Sequence, residues 1–225
     1  MVLIEQSVSL IKPEPGQEVS LIKACEYAAR NCYASQDKIT DDSYIRFCKS
    51  LITRGHEAPL EFASMMFDIT TSRAVLAEIT RHRLASFCVE SQRYIQEAQT
   101  GDISFILPVW YDQPPLNDES QNKYWVMSQV WRYSMENAEN AYKTLIAQGA
   151  KPEEAREVLP NSTACRIIMN ANLREWRNIF KLRCDKAAYP QMRVLALEML
   201  RLAHEHIPVV FDDLFDKYQT AFAHD

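Results

Sequence analysis

The spacing of apolar residues changes period several times along this chain, and each change marks a new element. SVSLIK (7–12) reads as a short strand, stopped by Pro13 and Pro15. From Glu18 to about Tyr33 apolar residues return every three or four positions, which predicts an amphipathic helix. A second helix is predicted through YIRFCKSLITR (44–54), capped by Thr40 or Asp41 and ending before Gly55. FASMMFDIT (62–70) reads as a strand with Ala63, Met65, Phe67 and Ile69 on one face. Ser72 can cap the next helix, which carries Val75, Leu76 and Ile79 toward Arg81. ISFILP (103–108) reads as a strand and YDQPPLND (111–118) as a turn-rich loop.

Residues 118–148 form one long helical pattern closed by Gly149, on the order of 45 Å long at 1.5 Å per residue. It carries Trp125, Val126, Val130, Tyr133, Ala141, Leu145 and Ile146. That is too much apolar surface for a free-standing rod, so a partner helix is expected, from this subunit or another. KPEEAREVLP follows as a short helix with Pro152 in its first turn. RIIMNAN (166–172) reads as a strand and LREWRNIFKLRCD (173–185) as a helix. Two last helices cover 190–206 and 209–222. No repeat or linker interrupts the series. The balance is mostly helix with a small sheet, an α+β fold in a single domain over residues 1–225.

Composition narrows the class. At 225 residues, with 47% hydrophobic and 24% charged positions, the chain is typical of soluble globular proteins. It is long enough to bury roughly 70% of its unfolded surface without disulfides. Its six cysteines form no C-x-x-C pair and match no zinc spacing, so they read as buried, reduced thiols and no metal is expected. The first residues lack the pattern of a signal peptide, and no apolar run approaches the ~20 residues that span a membrane. A cytoplasmic address is expected. The four glycines are too scattered for G-x-G-x-x-G or a Walker loop. Any nucleotide phosphates must therefore be held by side chains.

One stretch stands against the acidic total. RHRLASFCVESQRY (81–94) opens on Arg81, His82 and Arg83 and continues with Ser86, Ser91, Gln92, Arg93 and Tyr94, in a chain of net charge -5. Arg81 falls where a helix should end, and the C-terminus of a helix favours cations. The bland reading is thus a capping arginine pair that meets carboxylates such as Glu78. Against it stands the mixture of hydroxyls, amide and guanidinium, which are the donors a phosphate needs. Arg156, Arg166, Arg174 and Arg183 recur downstream in apolar or aromatic settings, where an unpaired arginine is costly to bury. Net charge -5 argues against a general nucleic-acid binder.

RHR, seven residues, then SQRY resembles the signature of the flavin-dependent thymidylate synthases, the ThyX family. GHEAPLEF (55–62) is similar to that family's G-H-x-[ST]-P-x-E-[HF] segment. AREVLP (155–160) is similar to A-R-x-x-L-P, and NANLREWRNIFKLR (170–183) to N-x-R-x-x-x-x-F-x-x-L-R. The four segments run in family order over most of the chain. The resemblance implies a mostly helical fold with a small, mainly antiparallel sheet, assembled as a homotetramer with FAD between subunits. It implies that dUMP stacks on the flavin, that methylene-tetrahydrofolate gives the carbon, and that NADPH gives the hydride. By position, Glu78, Arg81 and Arg156 would contact dUMP, joined from a neighbouring subunit by Val89, Glu90, Ser91, Gln92 and Arg93. FAD would meet Ala58, Arg81, His82, Arg83, Val89, Asn172, Arg174 and Asn178, with His56 near the flavin or folate. Arg183 would sit against the uracil as the catalytic residue. Ala58, Val89 and Ala187 stand where many members carry Ser or Thr, Glu or Gln, and His, which leaves backbone contacts there.

The chemistry suits these residue types. Uracil C5 must become a carbon nucleophile, and no Pro-Cys-His segment is present to supply a thiolate for C6. A cation at the uracil carbonyl and N3 stabilises the ionised ring instead. Arginine stays charged and donates in a planar fork. Ser91 has no adjacent base and reads as a phosphate ligand rather than a nucleophile. His204 and His206 read as the solvated end of a helix. Two other readings are a flavoprotein acting on another nucleotide and a non-catalytic RNA-binding module.

Overall fold

The computed structural model describes residues 1–92, 102–111 and 118–222. Four of the six strands, and the helices, follow the predicted order; the strands at Val2–Ile4 and Ala85–Val89 are not predicted, being too short for their pattern to stand out. The strands are β1 (Val2–Ile4), β2 (Ser7–Lys12), β3 (Ser64–Ser72), β4 (Ala85–Val89), β5 (Ser104–Ile106) and β6 (Ala164–Asn172). The helices are α1 (Glu18–Asn31), α2 (Ser43–Thr53), α3 (Arg73–Ile79), α4 (Asp118–Ala147), α5 (Pro152–Ala155), α6 (Leu173–Arg183), α7 (Pro190–His206) and α8 (Pro208–Phe222). The fold is mostly helical with a small antiparallel sheet, as its class predicts. That sheet has the order β2-β3-β6-β4, while β1 and β5 pair separately and in parallel. Positions 112–117 of the turn-rich loop lie outside the described residues.

The chain divides into two compact units, each discontinuous in sequence. The first comprises Met1–Ser7, Thr70–Ile79 and Val89–Ile167. Its core packs Met135 and Tyr142 of α4 against Ile103, Phe105 and Ala155, with Trp131 and Ile146 at the edge. Those α4 positions recur at helical spacing, which puts them on one face. The opposite face leaves Trp125, Val130 and Tyr133 61%, 61% and 68% exposed. Gly149 ends α4 at φ +93°, a conformation that costs glycine no Cβ clash. Its N–H bonds the Ile146 carbonyl and the Ala150 N–H bonds that of Leu145, the paired closure of a Schellman motif. α3 starts as predicted, with Ser72 Oγ accepting the Val75 N–H at 3.3 Å.

The second unit comprises Val8–Ile69, Thr80–Cys88 and Ile168–Asp225. Met65, Phe67 and Ile69 are buried on one face of β3, as the period-two pattern requires. Phe67 meets Trp176 of α6 edge-on at 4.9 Å, Trp176 stacks on Phe180, and Phe180 meets Phe211 of α8 at 5.6 Å. The buried Trp176 indole donates to the Met65 carbonyl at 3.0 Å, so the ring is held without an unsatisfied donor.

α2 departs from its predicted start. It begins at Ser43 with Asp42 at the N-cap and no side-chain cap, rather than on Thr40 or Asp41. The reason is tertiary. Glu26 is buried, and its carboxylate takes Arg30 Nε at 2.8 Å and Ser43 Oγ at 2.9 Å. Satisfying that buried charge draws Ser43 inward and sets the first turn.

Candidate functional site

The last residue before α6 organises one side of the site. Asn172 caps the helix, its Oδ1 accepting the Glu175 N–H at 2.8 Å. The Leu173 N–H bonds the Ala63 carbonyl, which ties the cap to the start of β3. α6 then buries Trp176, Ile179 and Phe180 on one face. Arg174 and Asn178, four apart, lie together on its exposed face. Arg174 Nη1 donates to Glu61 Oε1 at 2.5 Å, with both side chains about half exposed.

The RHR segment alternates. Arg81 and Arg83 are exposed, and His82 between them is 6% exposed. Its Nδ1 lies 3.2 Å from Glu175 Oε1, while its Nε2 accepts Arg183 Nε–H at 3.1 Å. A ring nitrogen that accepts carries no proton, so Nδ1 is protonated and donates to Glu175. Asn178 Nδ2 donates to both oxygens of the same carboxylate at 3.4 and 3.3 Å. His82 and Arg183, 101 positions apart and predicted from separate motifs, are thus joined within one unit, through a ring that also meets Glu175.

The GHE segment is placed by a backbone device. Gly55 ends α2 at φ +72°, its N–H bonding the Ile52 carbonyl, and the His56 N–H bonds that of Leu51. This exposes His56 and turns Glu57 toward α6. Ala58 begins the following 3-10 turn and is exposed. Glu57 Oε1 accepts from Arg177 Nε at 3.0 Å and Lys181 Nζ at 3.1 Å. Burial pushes the Glu57 carboxyl up, but the two cations outweigh it and hold the group below the usual carboxylate range. Arg177, 1% exposed, also forks onto Asp213, with both bonds at 2.7 Å.

The remaining predicted residues belong to the first unit. Glu78 is half-buried near the end of α3. Val89 ends β4, and the Glu90 N–H bonds the Arg166 carbonyl at 2.9 Å. Ser91 and Gln92 are half-buried beyond it, and Arg93 lies outside the described residues. Arg156 opens the single 3-10 turn after α5 and is half-buried. Sequence reasoning missed Glu175. It stands three residues after an asparagine cap, a spacing that announces a helix start and says nothing of a histidine 93 positions away.

Other chemistry-bearing side chains have structural partners. His204 Nε2 lies 3.0 Å from Asp212 and its ring stacks on Phe215 at 4.0 Å, while His206 Nδ1 lies 3.1 Å from Glu18. Among the described residues no group of three or more His, Cys, Asp or Glu side chains is gathered as a metal ion requires. Burial pushes the Cys25, Cys48 and Cys184 thiols up to about 12 and that of Cys165 to about 11. They stay protonated at neutral pH and cannot serve as nucleophiles. Cys32, just after α1, and Cys88, on the exposed face of β4, are exposed, against the expectation that the cysteines are buried. Alanine at either is expected to leave turnover within about twofold of wild type, since neither interrupts a packed core. A folded, cofactor-loaded Cys88→Ala protein without activity would contradict this division of labour.

Comparison with known proteins places this geometry in context. Residues 19–209 match the family model described as thymidylate synthase complementing protein. The flavin-dependent thymidylate synthase of Geobacter sulfurreducens is 34% identical over 208 residues, covering 89% of this chain and 82% of that protein. That of Synechocystis is 32% identical over 217 residues, covering 90% and 95%. Among solved structures, a UMP/dUMP methylase, PolB, from Streptomyces cacaoi, bound with 5-Br dUMP, superposes with a TM-score of 0.77 over 97% of this chain and 98% of that one. At 21% identity this likeness concerns the fold.

Proposed function

The chain belongs to the thymidylate synthase complementing protein family, that of the flavin-dependent thymidylate synthases, and from that premise we propose that it converts dUMP to dTMP. It is a methyltransferase whose cofactor is FAD. In this reading methylene-tetrahydrofolate supplies the carbon and NADPH the hydride, and residues 1–225 act as one catalytic domain in the cytoplasm. No helix among the described residues is long and apolar enough to cross a membrane.

The donor set fits a cofactor with a pyrophosphate. Such a group needs either clustered backbone N–H groups or several cations. The scattered glycines do not provide the first, whereas Arg81, Arg83 and Arg174 present exposed guanidinium groups in one unit. FAD is assigned to these three with Asn172 and Asn178. Ala58, His82 and Val89 contribute through the backbone, because two lack polar side chains and the His82 ring is engaged internally. Bound flavin carries the one-carbon and hydride chemistry. The side chains bind, orient and neutralise. In this reading Glu78, Arg81 and Arg156 contact dUMP, and Val89, Glu90, Ser91, Gln92 and Arg93 reach it from a neighbouring subunit, Ser91 as a phosphate ligand. His56 stands beside the flavin or folate.

Arg183 carries the reading. It is a half-buried guanidinium whose Nε–H rests on Nε2 of a buried imidazole, in a chain of net charge -5. Placed at the uracil carbonyl and N3, it stabilises the ionised ring and raises electron density at C5. The four buried cysteines, held protonated, do not supply a thiolate for C6. A homotetramer would also cover the apolar stripe of Trp125, Val126, Val130 and Tyr133 on α4, all of them exposed here.

The test is direct. Freshly purified protein is expected to be yellow and to form dTMP from dUMP when given NADPH and methylene-tetrahydrofolate. Colourless protein without that activity refutes the assignment. Bound flavin with tighter binding of another uridine or cytidine nucleotide than of dUMP would move the reaction to a different substrate.

A further inference from the structure

We propose that Glu175 is a positioning residue for Arg183, acting through His82. The inference rests on the function assigned above only for what Arg183 does; the linkage itself is a matter of geometry. Three observations carry it. Glu175 and His82 are each 6% exposed, so water does not compete for their bond. The Nδ1 of His82 lies 3.2 Å from Glu175 Oε1. The Nε2 of the same ring accepts Arg183 Nε–H at 3.1 Å.

A neutral imidazole has one donor and one acceptor nitrogen, and the partner of one nitrogen decides which is which. A carboxylate accepts and cannot donate, so Glu175 holds the proton on Nδ1. That turns the Nε2 lone pair toward Arg183. Without the carboxylate the ring is free to carry its proton on Nε2. The Nε2–H would then face the Arg183 Nε–H, donor against donor, and the guanidinium would swing away. The same logic governs histidines whose second nitrogen is held by a carboxylate while the first binds a metal.

Glu175 is itself held at two points. Asn172 Oδ1 accepts its N–H at 2.8 Å, and Asn178 Nδ2 meets both of its carboxylate oxygens. The Glu175 carboxylate therefore starts from a fixed helix cap, and through His82 it bears on the guanidinium of Arg183. Arginine has five N–H donors and the bond to His82 uses one, so the fork is oriented about its Nε edge.

The experiment compares Glu175→Ala and Glu175→Gln with wild type in the FAD-loaded protein. Glutamine keeps an oxygen that accepts from Nδ1; alanine does not. Glu175→Ala is expected to lower kcat about 10- to 100-fold with little change in the KM for dUMP, the range seen when an outer partner of a working group is removed. Glu175→Gln is expected to recover most of the loss. Nitrogen-15 NMR of labelled histidine gives a readout that needs no turnover. The His82 signal should report the Nδ1–H form in wild type and in Glu175→Gln, and a mixture or the Nε2–H form in Glu175→Ala. If Glu175→Ala does not fold, His82→Phe tests the same linkage from the ring: flavin stays bound and kcat falls. Wild-type kcat in a folded Glu175→Ala or His82→Phe protein overturns the proposal, as does an Nε2–H form of His82 in wild type. Wild-type protein that shows the Nδ1–H form yet never methylates dUMP would refute the assigned reaction and leave the linkage standing.

Discussion

Replacing Arg183 by alanine is expected to lower kcat for dTMP formation by about 10²- to 10³-fold while FAD remains bound, the cost of losing one preorganised charge donor. That corresponds to about 3–4 kcal/mol of transition-state stabilisation. The cofactor is assigned to Arg81, Arg83 and Arg174, which the substitution leaves in place, so flavin absorbance per chain should match wild type. Arg183→Lys is expected to recover little. Lysine keeps the charge but lacks the planar fork and the Nε–H that rests on His82 Nε2. Steady-state kinetics beside the visible spectrum of each purified variant decide the matter. An Arg183→Ala protein that turns over dUMP at the wild-type rate would remove the central electrostatic element of the mechanism.

Arg177→Met is expected to give the largest loss of stability. Arg177 is 1% exposed and bridges Glu57, Asp213 and the Val210 carbonyl. Removing one partner from a buried ionic cluster leaves the others desolvated and costs about 3–5 kcal/mol. Asp213 is half exposed, which favours the lower end of that range. For a chain of this size the melting temperature should fall by roughly 6–12 °C at pH 7. The acid limb should change as well. Burial raises the Asp213 carboxyl, but Arg177 more than offsets this, and both Asp213 and Glu57 are held below their ordinary values. A depressed folded value stabilises the protein above the unfolded value, about 4 for these groups, and that gain is lost as pH falls further. Wild-type stability should therefore drop as pH is lowered from about 4 through the depressed values, and Arg177→Met should flatten that part of the curve. Thermal unfolding followed across pH checks both effects. An unchanged melting temperature at pH 7 would show that the cluster contributes nothing.

Element types were legible because their causes are local. Period-two spacing over FASMMFDIT produced β3, and the long run closed by Gly149 produced α4 within a residue of its expected end. Ser72 and Pro152 announced helix starts through chemistry confined to one turn. The start of α2 was misread because Ser43 answers to Glu26, seventeen residues earlier. A buried carboxylate outweighed the local cap.

The candidate site divides along the same line. The arginines of RHR and of the α6 segment could be picked out because their number is unexpected in an acidic chain and their motif spacing is specific. Nothing local indicated that His82 would turn inward, that Glu175 would hold its proton, or that Arg183 would rest on the same ring. Short-range patterns of polarity, turn residues and charge settle most of the elements, though not β1 or β4, and which side chains are available for chemistry. Which nitrogen carries a proton, and which guanidinium is held where, follows from hydrogen bonds between buried groups far apart in the chain, and these exist only once the protein has folded.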